Sequence, residues 1–172
     1  MLLDRRNTEE RSPEPCSVRQ VSPGDVKPLR EMFARCSVNA IYERFHSPYP
    51  VVPGWMVDLM VGVDPGEAFV AVAGGEIVGH AMYVPDGNAA EVAVLIEDAW
   101  QSRGVGARLL SVAAESATRR GVETFVCETL AENRRVPGLA SAVFSEVERV
   151  VRGGTALVRV QLRSLKPGRN VR

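Results

Sequence analysis

The clearest pattern in the chain is helical. Between positions 104 and 120, Val105, Leu109, Val112, Ala113 and Ser116 or Ala117 share one side, while Arg108, Ser111, Glu115 and Arg119 take the other. This spacing predicts an amphipathic helix. Arg119 and Arg120 suit its negative end, and Gly121 suits its termination. A shorter stretch of the same period, Val26, Leu29, Phe33 and Cys36, follows Ser22-Pro23-Gly24-Asp25. There Ser22 can cap, Pro23 fits the first helical position and Asp25 completes a capping-box-like pair. Further helical stretches are expected near 40–45 and 55–61. Ser47 to Gly54, with three prolines, is expected to be a loop.

Strand patterns fill the rest. Cys16 to Val21 reads as a short strand. Residues 67–73 and 76–84, rich in Val, Ile, Phe and Tyr, flank Gly74-Gly75 and predict a hairpin. Pro85 to Asn88 reads as a turn. From 91 to 97 the chain alternates, with Val92, Val94 and Ile96 on one face and Glu91, Ala93 and Leu95 on the other. A buried strand is expected at 123–129, then a weak helix at 132–143 interrupted by Pro137-Gly138. A second hairpin through Gly153-Gly154 closes with 156–162. The order β-α-α-β-β-β-α-β-α-β-β describes a mixed α+β fold, one sheet with helices on its faces. The polar ends set expected boundaries: a tail at 1–15, a domain at 16–163 and a tail at 164–172.

Composition narrows the function. The 21 basic and 21 acidic side chains cancel, which removes one argument for nucleic acid or an anionic membrane as partner. Met1-Leu2-Leu3-Asp4-Arg5-Arg6 lacks the apolar core of a secretory leader, and no apolar run reaches 18 residues. Cys16, Cys36 and Cys127 are odd in number and widely spaced, and His46 and His80 are the only histidines. Neither a disulfide framework nor a metal site is expected, and the reading is a cytoplasmic protein with reduced thiols. The two histidines read as surface or packing residues, and Trp55 and Trp100 as packing anchors rather than substrate clamps.

The chemistry is concentrated in EVAVLIEDAWQSRGVGARLL, residues 91–110. A strand ends, a polar turn follows, and Gln101-Ser102-Arg103-Gly104-Val105-Gly106 opens the long helix. Backbone N–H groups at a helix start have no internal partners and carry the positive end of the dipole. Gly104 and Gly106 clear side chains where a pyrophosphate would approach, and Arg103 adds charge. The residues alone leave two readings, an anion site or a tight packing turn. A phosphate loop with its GK pair is absent, and Leu109 stands where a dinucleotide fold wants its third glycine.

With its strand before and helix after, the run resembles the acetyl-CoA-binding motif of the GCN5-related N-acetyltransferase (GNAT) superfamily. In that motif Gln or Arg is followed after two residues by Gly, and after one more by Gly or Ala. Gln101, Gly104 and Gly106 fall on its signature positions. The resemblance covers roughly residues 16–163. It implies a central, mostly antiparallel mixed sheet flanked by helices, with acetyl-CoA as co-substrate and no metal. It places the pyrophosphate on Gln101, Ser102, Arg103, Gly104, Val105 and Gly106. The pantetheine arm would lie along Val94 and Ile96 like an added strand. Asn133 matches a cofactor-contacting position of the family; as a residue it reads equally as a helix cap.

Ala90-Glu91-Val92-Ala93 and Ser37 to Phe45 further resemble the catalytic domain of bacterial Pat-type protein lysine acetyltransferases, in which a glutamate on this strand is the general base. Larger members carry a cyclic-nucleotide or synthetase-like domain; this sequence shows neither. The resemblance assigns the base to Glu91, with desolvation expected to strengthen it; the residue also reads as a solvated strand glutamate. A backbone N–H near Val94 to Ile96 would stabilise the developing oxyanion. Tyrosines stand only at 42, 49 and 83, so the family's proton-donating tyrosine has no counterpart. Cys127, Ser141 and water remain as substitutes. The segment after the last helix reads Val143-Phe144 where the family often has Gly-Phe. The implied acceptor is a primary amine, on a protein lysine or a small molecule, and a homodimer is compatible. The rival from another class is a non-catalytic acyl-CoA-binding module.

Overall fold

A computed structural model describes residues 16–167. The first strand, β1 (Cys16–Gln20), leads through a 3-10 turn at Pro23–Asp25 into α1 (Val26–Arg35). Asp25, only 4% exposed, organises this entry. Its carboxylate accepts the Ser22 N–H at 2.8 Å and both Arg19 Nη groups at 2.7 and 2.8 Å. These bonds hold the Asp25 carboxyl well below the usual carboxylate range despite its burial. α2 (Val38–Phe45) starts two residues earlier than the sequence pattern predicts because Ser37 caps it, Oγ accepting the Ala40 N–H at 3.2 Å. α3 is Gly54–Val61.

The sheet continues with β2 (Glu67–Ala73), β3 (Glu76–Asp86) and β4 (Ala89–Ile96). Gly74 and Gly75 both take positive φ, 57° and 82°, as the two-residue hairpin requires. β3 runs through Pro85, so the expected turn shrinks to Gly87-Asn88. The long helix is α4 (Val105–Arg119), followed by β5 (Thr124–Leu130), α5 (Arg135–Val143), β6 (Val147–Arg152) and β7 (Thr155–Gln161). Contrary to expectation, Pro137-Gly138 does not interrupt α5. Pro137 lies in the helix's first turn, where a missing N–H costs no intrahelical bond.

Seven strands form one sheet in the order β1-β2-β3-β4-β5-β7-β6. All neighbours are antiparallel except β4 and β5. One core lies on the α4 and α5 side, around Tyr83, Phe125, Leu109 and Phe144; the other lies beneath α1, α2 and α3, around Leu29, Met32, Ile41 and Val57. The faces of β4 divide as its alternation predicts: Val92 joins the first core and Leu95 the second.

Two expectations need correction. Trp55 is no packing anchor: it is 61% exposed, whereas Trp100 packs partly against the core. Ordered packing also passes the expected boundary at 163. Ser164 is buried, Leu165 bridges to Phe144, and the Lys166 N–H donates to the Val143 carbonyl. The tail expected at 1–15 and residues 168–172 lie outside the described residues. Among the described residues no helix is long and apolar enough to cross a membrane.

Candidate active site

The parallel pairing of β4 and β5 covers only Ala89↔Thr124, Ala90↔Phe125 and Glu91↔Val126. Beyond Glu91, β4 keeps β3 on one side and, among the described residues, has no strand on the other. β5 turns to β7 instead, pairing over Thr124 to Leu130. The strands therefore part like a V. A cavity of about 820 Å³ opens between them, roofed by α4 and α5 and reached by α2. Its volume suits a cofactor-sized ligand. The exposed backbone edge of Val92 to Ile96 can take up an extended partner.

At the wide end stands the start of α4. Gly104 holds φ +80° and Ser102 φ +60°, two left-handed residues that turn the chain into α4. A left-handed φ rather than crowding demands the glycine at 104, since an added Cβ would meet nothing within 4 Å. Gly106 is different: its Cβ would come within 3.4 Å of Leu139 and 3.5 Å of Ile96. Gln101 donates its side-chain amide to the Ile96 carbonyl at 3.1 Å, tying the turn to the end of β4. The Arg103 guanidinium lies 5.2 Å from the Trp100 ring centre.

Most of the residues singled out in the sequence meet here. Glu91, Val94, Ile96, Gln101, Ser102, Gly104, Gly106 and Asn133 all line the cavity. Arg103 and Val105 do not. Arg103 stacks on Trp100, and Val105 is buried in the core, leaving its backbone alone for the site. Glu91 is exposed at the cavity wall, so the desolvation expected for it does not occur. Asn133 is buried and uses its Oδ1 to cap α5, accepting the Arg135 and Val136 N–H groups at 2.9 and 3.2 Å.

The structure adds Thr129 and Arg44, which the sequence did not single out, and brings Cys127 to the same place. Thr129 lines the cavity, and its Oγ1 is buried without a hydrogen-bond partner among the described residues. Such an orphan calls for a ligand atom or water. Arg44 and Cys127 stand beside Glu91. Burial pushes the Cys127 thiol up to about 11, with the Arg44 cation opposing. The thiol therefore stays protonated at neutral pH. Ser141, the other substitute donor, is exposed and off the cavity. No tyrosine lines the cavity. Polar links hold α1 and α2 against the site: Ser37, which caps α2, gives its N–H and Oγ–H to Asp98 at 2.7 Å each, Arg35 at the end of α1 pairs with Glu97 at 3.0 Å, and Glu43 of α2 pairs with Arg135 at 3.6 Å.

The unpaired strand edge, the glycine-bearing helix start and the orphan hydroxyl fit an elongated phosphorylated ligand carrying a peptide-like arm. Among the described residues, no group of three or more His, Cys, Asp or Glu side chains could hold a metal.

Comparisons with known proteins agree with this geometry. Residues 27–149 match the model of the acetyltransferase (GNAT) family. The chain is 31% identical over 123 residues to acetyltransferase Pat of Mycolicibacterium smegmatis, covering 67% of this chain and 37% of that protein. It thus spans little more than a third of that relative's length. The GNAT domain of S. lividans PAT superposes with a TM-score of 0.78 at 26% identity, over 85% of this chain and 90% of that one. A GNAT superfamily phosphinothricin acetyltransferase from Sinorhizobium meliloti, solved with acetyl-CoA, gives a TM-score of 0.69 at 16% identity, over 91% and 95%. That last likeness concerns the fold.

Proposed function

Since the chain belongs to the acetyltransferase (GNAT) family, we propose that it moves an acetyl group from acetyl-CoA to a primary amine, with protein lysine as the preferred acceptor class. The observation that carries this reading is the parting of β4 and β5 immediately after Glu91, facing a helix start with free backbone donors. The resemblance of Ser37 to Phe45 and of Glu91 to Pat-type protein lysine acetyltransferases favours a lysine.

In this reading the turn from Gln101 to Gly106 binds the pyrophosphate through backbone N–H groups. Gln101 braces the turn and Arg103 supplies charge near its rim. Val94 and Ile96 offer backbone pairing to the pantetheine arm. The Asn133 carbonyl oxygen serves α5, which leaves its NH₂ to donate to the ligand. Acetyl-CoA supplies an activated acyl carbon and a thiolate that leaves without a strong acid.

A lysine amine is mostly protonated near neutrality, with an ordinary pKa of about 10.4. Glu91 takes that proton, directly or through one water. The neutral nitrogen then attacks the acyl carbon; a C–N bond forms, the C–S bond breaks, and the thiolate carries away the electron pair. A backbone N–H between Val94 and Ile96 steadies the charge on the acyl oxygen. Solvent is a better proton donor to the thiolate than Cys127, whose proton burial holds tightly. The free thiols of Cys16, Cys36 and Cys127 suit a reducing, cytoplasmic setting.

Calorimetric titration with acetyl-CoA, followed by release of free CoA in the presence of lysine peptides, tests the proposal. Micromolar binding with acceptor-dependent CoA release is expected. Binding without release under any acceptor supports a non-catalytic acyl-CoA module instead, and no binding overturns both.

A further inference from the structure

The acceptor end of the cavity holds a cation without an anion. Arg44 lies in the last turn of α2 and lines the cavity beside Glu91 and Cys127. Its guanidinium sits 4.8 Å from the Phe45 ring centre. Among the described residues it makes no ion pair and no side-chain hydrogen bond, although Glu43, one residue earlier, pairs with Arg135 at 3.6 Å. Among the described residues Glu91 also makes no ion pair. The two side chains sense each other's charge but remain unpaired.

A largely desolvated guanidinium ordinarily finds a carboxylate or phosphate. Here burial is the main influence on Arg44, lowering its pKa. The other ionisable neighbours do not relieve it. Cys127 keeps its proton, and burial together with the Arg44 charge holds His80 neutral. The pyrophosphate position lies at the far end of β4, beyond Ile96, so it does not supply the missing anion.

We propose that Arg44 binds a carboxylate carried by the acceptor, so that the enzyme selects amines with an acidic group close to the reacting nitrogen. The acceptor would bridge the site as an ion of two signs, its ammonium against Glu91 and its carboxylate against Arg44. An Asp or Glu side chain next to an acceptor lysine satisfies this, and so does the carboxylate of an amino acid. The inference rests on the acetyltransfer reading above and specifies its substrate.

The test compares CoA release from acetyl-CoA with matched acceptors: a lysine peptide flanked by Glu, the same peptide with Gln, free lysine, and free lysine amide. Wild-type kcat/KM is expected to favour the carboxylate-bearing member of at least one pair by about 10- to 100-fold, the range of a charge-assisted pair. R44Q should erase that preference, and R44K should keep part of it. Preference within the peptide pair identifies a flanking acidic side chain as the source; preference within the lysine pair identifies the acceptor's own carboxylate. Equal losses for both members in R44Q, with melting temperature and acetyl-CoA affinity retained, overturn the inference. So does the absence of any preference in the wild type. No turnover with any acceptor overturns the acetyltransfer reading itself, and this one with it.

Discussion

Glu91 and Val126 are the last parallel pair between β4 and β5; beyond them the strands part and the cavity begins. The carboxylate thus stands where the sheet ceases to be continuous. In the acetyltransfer reading a side chain there would reach a ligand held on the free edge of β4, while its backbone is fixed by both neighbouring strands.

Replacing Glu91 with Gln keeps the shape and removes the proton acceptor. We expect kcat/KM for the amine to fall by about 10²- to 10⁴-fold, with acetyl-CoA affinity within about twofold of wild type. Steady-state CoA release and calorimetry measure the two quantities. Unchanged turnover across pH would take Glu91 out of the mechanism.

Gly104→Val tests the turn at the start of α4. At φ +80° a β-branched residue is strained by about 1–2 kcal/mol. The turn should reshape, and acetyl-CoA affinity should drop at least tenfold while the helix still forms. Gly106→Val acts on the cavity instead: its Cβ would rest in ordinary contact with Leu139 and Ile96, and its methyl groups would take space on the wall that the ligand needs. Retained affinity in both variants would reduce the turn to a packing feature.

His80 makes stability depend on pH. It is fully buried on β3, and both ring nitrogens lack partners among the described residues. Burial, with the Arg44 charge second, pushes it down to about 3 from an ordinary value of about 6.5. The unfolded chain therefore binds a proton that the folded one refuses. The stability this neutral imidazole allows is intact above about pH 6.5 and falls as pH drops from there toward 3, with a slope of at most about 1.4 kcal/mol per pH unit. His80→Leu should flatten the melting temperature across that window. An identical pH profile in the variant would refute the assignment.

Asp25 acts lower on the pH scale. Its folded carboxyl lies below the unfolded value of about 3.9, so its contribution is present above pH 4 and is lost as pH falls further. Asp25→Asn leaves Arg19 without its paired bonds and should cost about 1–3 kcal/mol at pH 7, discounted because Arg19 is half exposed. The gap from wild type in urea denaturation should narrow at pH 3. A gap that stays constant would mean that the charge is unimportant.

The sequence by itself determined the elements and the binding turn. Val105, Leu109, Ala113 and Ala117 set the face of α4, because one apolar stripe can be buried in only one way. The paired glycines at 74–75 and 153–154 set both hairpins, because positive φ at two successive residues leaves little else. Gln101, Gly104 and Gly106 marked the helix start, because a short motif encodes a local backbone shape. Pro137 misled, because a proline reads as a break until its place in the first helical turn is known. The tertiary structure alone decided what converges on the cavity. Arg44, Cys127 and Thr129 lie far from the motif in sequence, on α2 and β5. They meet Glu91 only because β4 and β5 pair briefly and then separate. That separation, and the unpaired charge and orphan hydroxyl beside it, arise from packing between distant segments, and no local pattern in the chain records them.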